Sequence, residues 1–505
     1  MKEEKQKKKK FKKQMNRNQK ENNDVLIEEN IKSLDKTKNP NREIVMITYI
    51  FVGLFVLLTT YFAYFLFADS DEVINNSYNK RQDLLAERVI RGEIQGSNGE
   101  TLAKTVEDKK GNTSRVYPYD EMFAHIVGRF EKGKTGIESS ENFNLLTSHN
   151  NPIMMVYNEI SGVKNPGDNI ITTLDVKLQE VAYNALGSQK GAVVVLEPST
   201  GKILAMVSKP DYDPNEVSRN WEDLTDDTDN NSALVNRATQ GLYPPGSTYK
   251  ILTALEYIRE NENTYKDYEY TCSGQGIFDS VSINCYKNEK HGKVDLLHSF
   301  SESCNTSFAN MGTSLNIGSF RKLNETFLFN RSLPTNIPYK QSSFVLDSHS
   351  KKSEVPQTVI GQGKTLVSPF HNALITATIA NGGTLMTPYV VDHITNSSGT
   401  LIKKNVPNIY GTLMTSKEAK ILTQMMEEVV TSGTGSALNG LGIHSAGKTG
   451  SAEFNDKQQS HAWFVGFAPT DKPQLVVSII VEGAGTGSSH AVPIAKKIFQ
   501  EYFNR

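Results

Sequence analysis

The sequence predicts an α+β protein in which one five-stranded antiparallel sheet is assembled from both ends of a long, mainly helical section. Two strand-like runs lie before that section, within Gly191 to Pro210, and three lie after it, in HSAGKTGSAEF, HAWFVGFAPT and QLVVSIIVEG. Between them, helical periodicity is clearest after Ser247, where Ile251, Ala254, Leu255 and Ile258 recur at the spacing of a buried helix face. Ahead of all this, an uncharged apolar run from Ile44 to Ala68 is long enough to span a bilayer core of roughly 30 Å as a helix.

With 505 residues the chain has room for two to four domains and at least one large core. Its formal net charge of −1 excludes a global bias toward nucleic acid. The charge is uneven: residues 1–42 carry a Lys/Arg surplus, densest from Lys7 to Lys13. Residues 1–43 therefore read as a basic, disordered tail.

Residues 44–68 read as a single transmembrane helix, with Tyr49, Tyr61 and Tyr64 toward its ends. The run is too long for the apolar centre of a cleavable signal. Lysines before it and Asp69, Asp71 and Glu72 after it predict an N-terminus in the cytoplasm and the rest of the chain outside.

Residues 69–170 are mixed and turn-rich and read as a pedestal or docking module. Arg91 to Thr105 predicts two short strands around the Asn98–Gly99 turn. Residues 171–505 hold the sheet-forming runs, an amphipathic stretch DVKLQEVAYNAL, and a closing helical run AVPIAKKIFQEYF.

The stretch with most chemistry is GLYPPGSTYKILTALEYI. Pro244, Pro245 and Gly246 predict a stiff turn, and Ser247 stands where helical pattern begins. Lys250, three residues on, projects from the same side of a helix. A hydroxyl at a helix start, with a buried amine one turn away, has the parts of an activated nucleophile and its base. The bare Ser-x-x-Lys pattern recurs at Ser33/Lys36, Ser77/Lys80, Ser161/Lys164, Ser199/Lys202 and Ser348/Lys351, and a serine there can equally be a helix cap.

Two further segments single out Ser247. Ser303 and Asn305, in SESCNTS, offer a hydroxyl for proton relay and an amide for a substrate carbonyl, or simply a cap for the next helix. Lys448-Thr449-Gly450, followed by Ser451, reads as a strand whose lysine and glycine face one way and whose threonine faces the other. Gly450 lets a ligand approach the backbone. A second such triplet, Lys134-Thr135-Gly136, lies in the pedestal module without companions.

The three cysteines, Cys272, Cys285 and Cys304, match neither a disulfide-dense scaffold nor a zinc site with paired CxxC. The reading includes no metal, and leaves open a Cys272–Cys285 disulfide.

Taken in order, Ser247/Lys250, Ser303/Asn305 and Lys448/Thr449/Gly450 form the trio of the penicillin-binding and serine β-lactamase group. The sequence resembles a class B penicillin-binding protein, a membrane-anchored D,D-transpeptidase, from the anchor to the C-terminus. The RGEI…NGETLA segment, IGQGKTLVSPFHNALITATIANGGT and AWFVGFAP carry the likeness beyond the trio. Gly96-Ser97 departs from it, where many relatives have Asp-Arg before the turn. No segment before the transpeptidase region is large enough for the glycosyltransferase domain of a bifunctional class A member.

The resemblance implies a penicillin-binding transpeptidase fold with helices on both sides of the five-stranded sheet. It implies that Ser247 is acylated by the D-Ala-D-Ala end of a peptidoglycan stem peptide and that Lys250 takes its proton. Ser303 relays a proton to the leaving D-alanine, Asn305 holds the donor amide, and Lys448 and Thr449 bind the terminal carboxylate. The N–H groups of Ser247 and Ser451 form the oxyanion hole. It further implies inhibition by β-lactams, no cofactor, and a SEDS-type glycosyltransferase as membrane partner. A D,D-carboxypeptidase or β-lactamase with the same trio, or a non-catalytic scaffold, are the competing readings.

Overall fold

The computed structural model describes residues 2–35, 41–68, 86, 88–226, 232–453 and 460–505. The start of the pedestal module and the Ser77/Lys80 pair lie outside these residues. The described chain divides into two compact units, Met1–Asn76 and Ser77–Arg505.

In the first unit, α1 (Lys2–Asp35) replaces the expected disordered tail with an exposed helix. The stretch contains neither Gly nor Pro and is rich in Lys, Glu and Gln, which are strong helix formers. Glu3 and Glu4 in its first turn and Lys32 in its last complement the helix dipole. The next helix, α2 (Asn41–Ala68), contains Arg42–Leu66, 25 residues long and the one helix among the described residues apolar and long enough to cross a membrane. Its threonine hydroxyls bond back to the helix backbone: Thr48 donates to Ile44 O at 2.8 Å and Thr60 to Val56 O at 2.8 Å. Such back-bonding satisfies hydroxyls where water is absent.

The second unit opens with β1 (Ile94–Gln95), β2 (Thr101–Glu107), β3 (Thr113–Val116) and β4 (Asn169–Thr172). The Asn98–Gly99 turn joins β1 to β2, as expected. Then follow α3 (Val176–Leu186), capped by the Asp175 side chain, and the hairpin β5 (Gly191–Leu196) and β6 (Ile203–Lys209). The middle section supplies α4 (Lys250–Glu260), α5 (Leu296–Ser301), α6 (Asn305–Ser314) and α7 (Pro369–Ala380). It is less purely helical than its sequence suggests, because β7 (Val391–Thr395) and β8 (Leu401–Lys404) also lie in it. After α8 (Ser416–Thr431) come β9 (Ala446–Glu453), β10 (Ser460–Ala468), β11 (Leu475–Val481) and α9 (Gly487–Phe503).

The five-stranded sheet has the order β9-β10-β11-β5-β6 and is antiparallel throughout. Two strands come from before the helical section and three from after it. Period-two alternation sends the strand residues to two cores. Val193 and Val195 pack with Leu178, Ala182, Ile498 and Phe499 of α3 and α9. Their neighbours Ala192 and Val194 join the larger core with Leu252, Leu255, Phe370 and Leu374 of α4 and α7. Helices therefore cover both faces.

A second sheet, ordered β8-β7-β4-β1-β2-β3, draws two strands from residues 391–404. The pedestal is thus not made from 69–170 alone. Ile94 and Ile170 of its first part and Ile394 of β7 are all buried in the same large core, so apolar burial favours recruiting the distant strands.

The RGEI segment has a structural explanation here. A Cβ on Gly92 would lie 1.9 Å from Asp168 O. Arg91 Nε donates to Glu138 Oε2 at 2.6 Å and Arg115 Nε to Glu138 Oε1 at 2.7 Å, with Glu138 fully buried. Burial pushes the Glu138 carboxyl up, but the charges of Arg115 and Arg91 outweigh it and hold it below its ordinary value. Glu138→Gln leaves two buried guanidinium groups unneutralised, and a loss of about 3–5 kcal/mol is expected in urea denaturation. Because the folded-state value is depressed, the carboxyl's stabilisation is complete at neutral pH and is lost as pH falls through that value. The variant's stability should therefore depend less on acid than the parent's, and an unchanged acid midpoint would contradict this account.

Candidate active site

The turn bearing Ser247 is held from three sides. Gly246 has φ +53°, and its N–H donates to Gly361 O at 2.9 Å. Gly361 is itself obligatory, since a Cβ there would lie 1.9 Å from Gly246 O. Trp463 Nε1 donates to Pro244 O at 3.0 Å, and Asn372 Nδ2 to Thr248 Oγ1 at 3.1 Å. The IGQG, SPFHNA and AWFVGFAP segments thus converge on this one turn.

Residues Gly246–Tyr249 form a 3-10 turn, and the α-helix begins only at Lys250. Ser247 is therefore not a cap of α4, whose N-terminal flanking residue is Tyr249. The Ser247 side chain is half-buried and makes no hydrogen bond among the described residues. Lys250 is fully buried, one turn below.

The Ser303–Asn305 segment joins α5 to α6. Ser303 sits at φ +57°, a left-handed conformation that costs a non-glycine residue about 1–3 kcal/mol. Its hydroxyl and the Asn305 amide cap no helix; the flanking residue of α6 is Cys304, which makes no side-chain cap bond. Instead, Lys250 Nζ donates to Ser303 O at 2.6 Å, Asn305 Oδ1 at 2.7 Å and Ser303 Oγ at 3.2 Å. Three acceptors match the three protons of an ammonium. Asn305 Nδ2 donates to Asn284 O at 2.9 Å.

Lys448, also fully buried, reaches the same hydroxyl from the other side: its Nζ is 3.0 Å from Ser303 Oγ. Two amines therefore flank one oxygen. Burial pulls Lys250 down to about 8, against the nearby Cys304 and Cys285. Lys448 is held well below the ordinary lysine value, by burial first and by the charge of Lys250 second.

The Lys448 strand and the Ser247 turn touch. A Cβ on Gly450 would lie 3.2 Å from Pro245 O and 3.2 Å from Thr248 Cγ2, and one on Gly246 would lie 2.8 Å from Ser451 O. All the residues singled out from sequence thus lie on two touching elements and the segment that both lysines contact. One relation differs from expectation: Lys250 contacts Ser303 and Asn305 rather than the Ser247 hydroxyl. The isolated Lys134 triplet takes no part, its ammonium lying 5.2 Å from the Phe130 ring in the pedestal.

One participant was not foreseen. Thr449 Oγ1 lies 2.5 Å from Thr434 Oγ1, and the Thr434 N–H donates to Ser301 O at 3.3 Å. The loop after α8 thereby ties β9 to the end of α5. The run TSGTG carries the signal, because a Cβ on Gly433 would lie 2.4 Å from Ser301 O.

Known proteins resemble the chain over most of its length. A penicillin-binding protein transpeptidase domain matches residues 191–500, and a penicillin-binding protein A dimerisation domain matches residues 91–170. Peptidoglycan D,D-transpeptidase PbpA of Mycolicibacterium smegmatis is 30% identical over 436 residues, covering 80% of this chain and 87% of that protein. Peptidoglycan D,D-transpeptidase MrdA of Acinetobacter baumannii is 28% identical over 452 residues, covering 76% and 65%. Among solved structures, a ceftriaxone acyl-enzyme complex of penicillin-binding protein A from M. tuberculosis superposes with a TM-score of 0.75 at 29% identity, covering 83% of this chain and 100% of that one. The chain belongs to the class B penicillin-binding proteins.

Proposed function

We propose that this chain is a peptidoglycan D,D-transpeptidase that crosslinks stem peptides through an acyl-enzyme on Ser247, and that β-lactams acylate the same hydroxyl. The observation that carries this reading is the approach of Lys250 and Lys448 to Ser303 Oγ, beside the turn that bears Ser247.

In this scheme Ser247 Oγ attacks the carbonyl between the two terminal D-alanines, and Lys250 in its amine form takes the hydroxyl proton. The N–H groups of Ser247 and Ser451 receive the developing oxyanion; one such donor is worth about 2.7–4 kcal/mol in related acyl transfers. Ser303, hydrogen-bonded to both lysines, passes a proton to the nitrogen of the departing D-alanine as the C–N bond breaks. An acceptor amine then attacks the ester, a new amide forms, and Ser247 regains its proton.

Lys448 and Thr449 serve the terminal carboxylate, with Thr449 oriented by Thr434. Gly450 leaves room for an extended peptide along β9. Asn305 has both polar ends engaged, by Lys250 and by Asn284, so its first task is to position Lys250. The second Nδ2 proton and the second Oδ1 lone pair are left for holding the donor amide.

The same reading assigns residues 1–43 to the cytoplasm, 44–68 to the membrane, and 69–170 and 171–505 to the outer side as pedestal and transpeptidase domain. The lysine-rich start supports that orientation. A SEDS-type glycosyltransferase is the proposed membrane partner, supplying the glycan strands to be crosslinked.

The test is a product assay with the full chain, a co-purified glycosyltransferase and defined lipid-linked substrate. Crosslinked dimers are expected. Free tetrapeptide alone would instead mean a carboxypeptidase, rapid hydrolysis of penicillin a β-lactamase, and no turnover a scaffold.

A further inference from the structure

We propose that Cys272, Cys285, His291 and Cys304 bind a Zn²⁺ ion that fastens the Ser303–Asn305 turn. Their four ligand atoms all lie within 4.8 Å of one another. Cys285 Sγ is 3.7 Å from Cys272 Sγ and 3.8 Å from Cys304 Sγ, and His291 Nδ1 is 3.3 Å from Cys272 Sγ. A tetrahedral zinc with Zn–S bonds of about 2.3 Å places its sulfurs about 3.8 Å apart. The observed separations are those of ligands around one ion.

No disulfide joins them in this structure: Cys285 Sγ lies 3.7 Å from Cys272 Sγ and 3.8 Å from Cys304 Sγ, against about 2.05 Å for an S–S bond. Ordinary core packing does not account for the arrangement either. The three sulfurs form a cluster of their own, apart from the main apolar cores, and they turn toward an imidazole nitrogen. Hydrogen-bond donors are aimed at the sulfur of Cys272: the Gly274 N–H at 3.4 Å and the Thr306 hydroxyl at 3.2 Å. Donors of this kind orient and stabilise thiolate ligands.

The backbone is folded to bring the ligands together. Cys272 ends one strand and pairs across it with Gly292, next to His291. Cys285 follows the short hairpin of Gln275–Phe278 and Val281–Asn284, and its N–H donates to Gly274 O at 2.8 Å. Gly274 has φ +93°, and a Cβ there would lie 2.3 Å from Asn288 O. Each ligand thus comes from a different element, which is why no CxxC pair marks the site in the sequence. Cys272, Cys285 and Cys304 are 2%, 3% and 0% exposed, whereas His291 is half-buried and leaves an entry path.

Three thiolates and one imidazole in a tetrahedral set suit zinc better than calcium or magnesium, which take oxygen ligands. Binding releases the three thiol protons, and His291 joins as the neutral ring through Nδ1. The consequence reaches the active site directly. Cys304 stands between Ser303 and Asn305, so an ion holding its sulfur anchors the strained turn that both lysines contact.

The full chain, purified in detergent without chelator, should contain about one zinc per chain by elemental analysis. Cys285→Ser and His291→Ala should each weaken zinc binding by at least about tenfold. Replacing zinc by Co²⁺ should produce thiolate-to-cobalt absorption that Cys272→Ser removes. Because these readouts register metal and not turnover, they stand whether or not the transpeptidase reading does. Removing the metal should slow penicillin labelling of Ser247 by about tenfold or more. The site is overturned if the folded wild-type chain contains no zinc and takes up none from a titration under reducing conditions. Its anchoring role is overturned if verified metal removal leaves the labelling rate unchanged.

Discussion

Ser247→Ala is expected to abolish covalent labelling by a fluorescent penicillin and to stop crosslinking, while leaving the fold intact. The side chain is half-buried and engaged in no hydrogen bond among the described residues, so its removal strands no buried partner. The turn around it is held by hydrogen bonds of Gly361, Trp463 and Asn372 to Gly246, Pro244 and Thr248, and none of these bonds involves the Ser247 hydroxyl. Loss of a serine nucleophile lowers turnover by a factor on the order of 10⁶ in a well-studied serine protease, and a comparable loss is expected here. The measurement is labelling of the parent and variant at matched concentration, with melting temperature as the control. Equal labelling of both would remove Ser247 from the mechanism.

Lys250→Met is expected to slow acylation by about 10²–10⁴-fold, the usual worth of a general base. The substitution keeps much of the buried stem but removes the amine. It also leaves Ser303 O and Asn305 Oδ1 without their donor, at a cost of about 1–3 kcal/mol in stability. A second readout separates the chemical role from the structural one. Burial pulls Lys250 down to about 8, so the parent's acylation rate should rise with pH through that value as the ammonium gives up its proton. Below it the lysine is charged and has no lone pair for the Ser247 proton. Lys448 faces the Ser303 hydroxyl that Lys250 also contacts, and burial and the charge of Lys250 hold it low against the opposing influence of Glu302. In Lys250→Met the rise near 8 should vanish. A variant that is merely unstable would keep the pH profile and lose only amplitude, and that result would exclude Lys250 as the base.

Much of the architecture was legible because its signals are local and periodic. The uncharged run of α2, the apolar strand–turn–strand run of β5 and β6, and the helical stripe after Ser247 each declare themselves within a few residues. That the five-stranded sheet takes two strands from before the helical section and three from after it followed from where the strand-like runs lie along the chain. In the tail two local signals compete: its polar composition favours disorder, while its lack of Gly and Pro and its Lys/Glu content favour the helix observed. Nothing local marks β7 as the partner of β4, with β8 outside it, since pairing across that distance is decided by shared burial of Ile94, Ile170 and Ile394.

From sequence alone came the long apolar helix, the fold class, the three candidate active-site segments and the family they point to. These rest on residue type and short spacing, which the chain carries in one dimension. Only the tertiary structure decided that Lys250 and Lys448 meet at Ser303, that Thr434 steadies Thr449, and that three separate cysteines and a histidine face one point. Such relations are distances between side chains from different elements, and they exist only once burial of the surrounding apolar residues has brought those elements together.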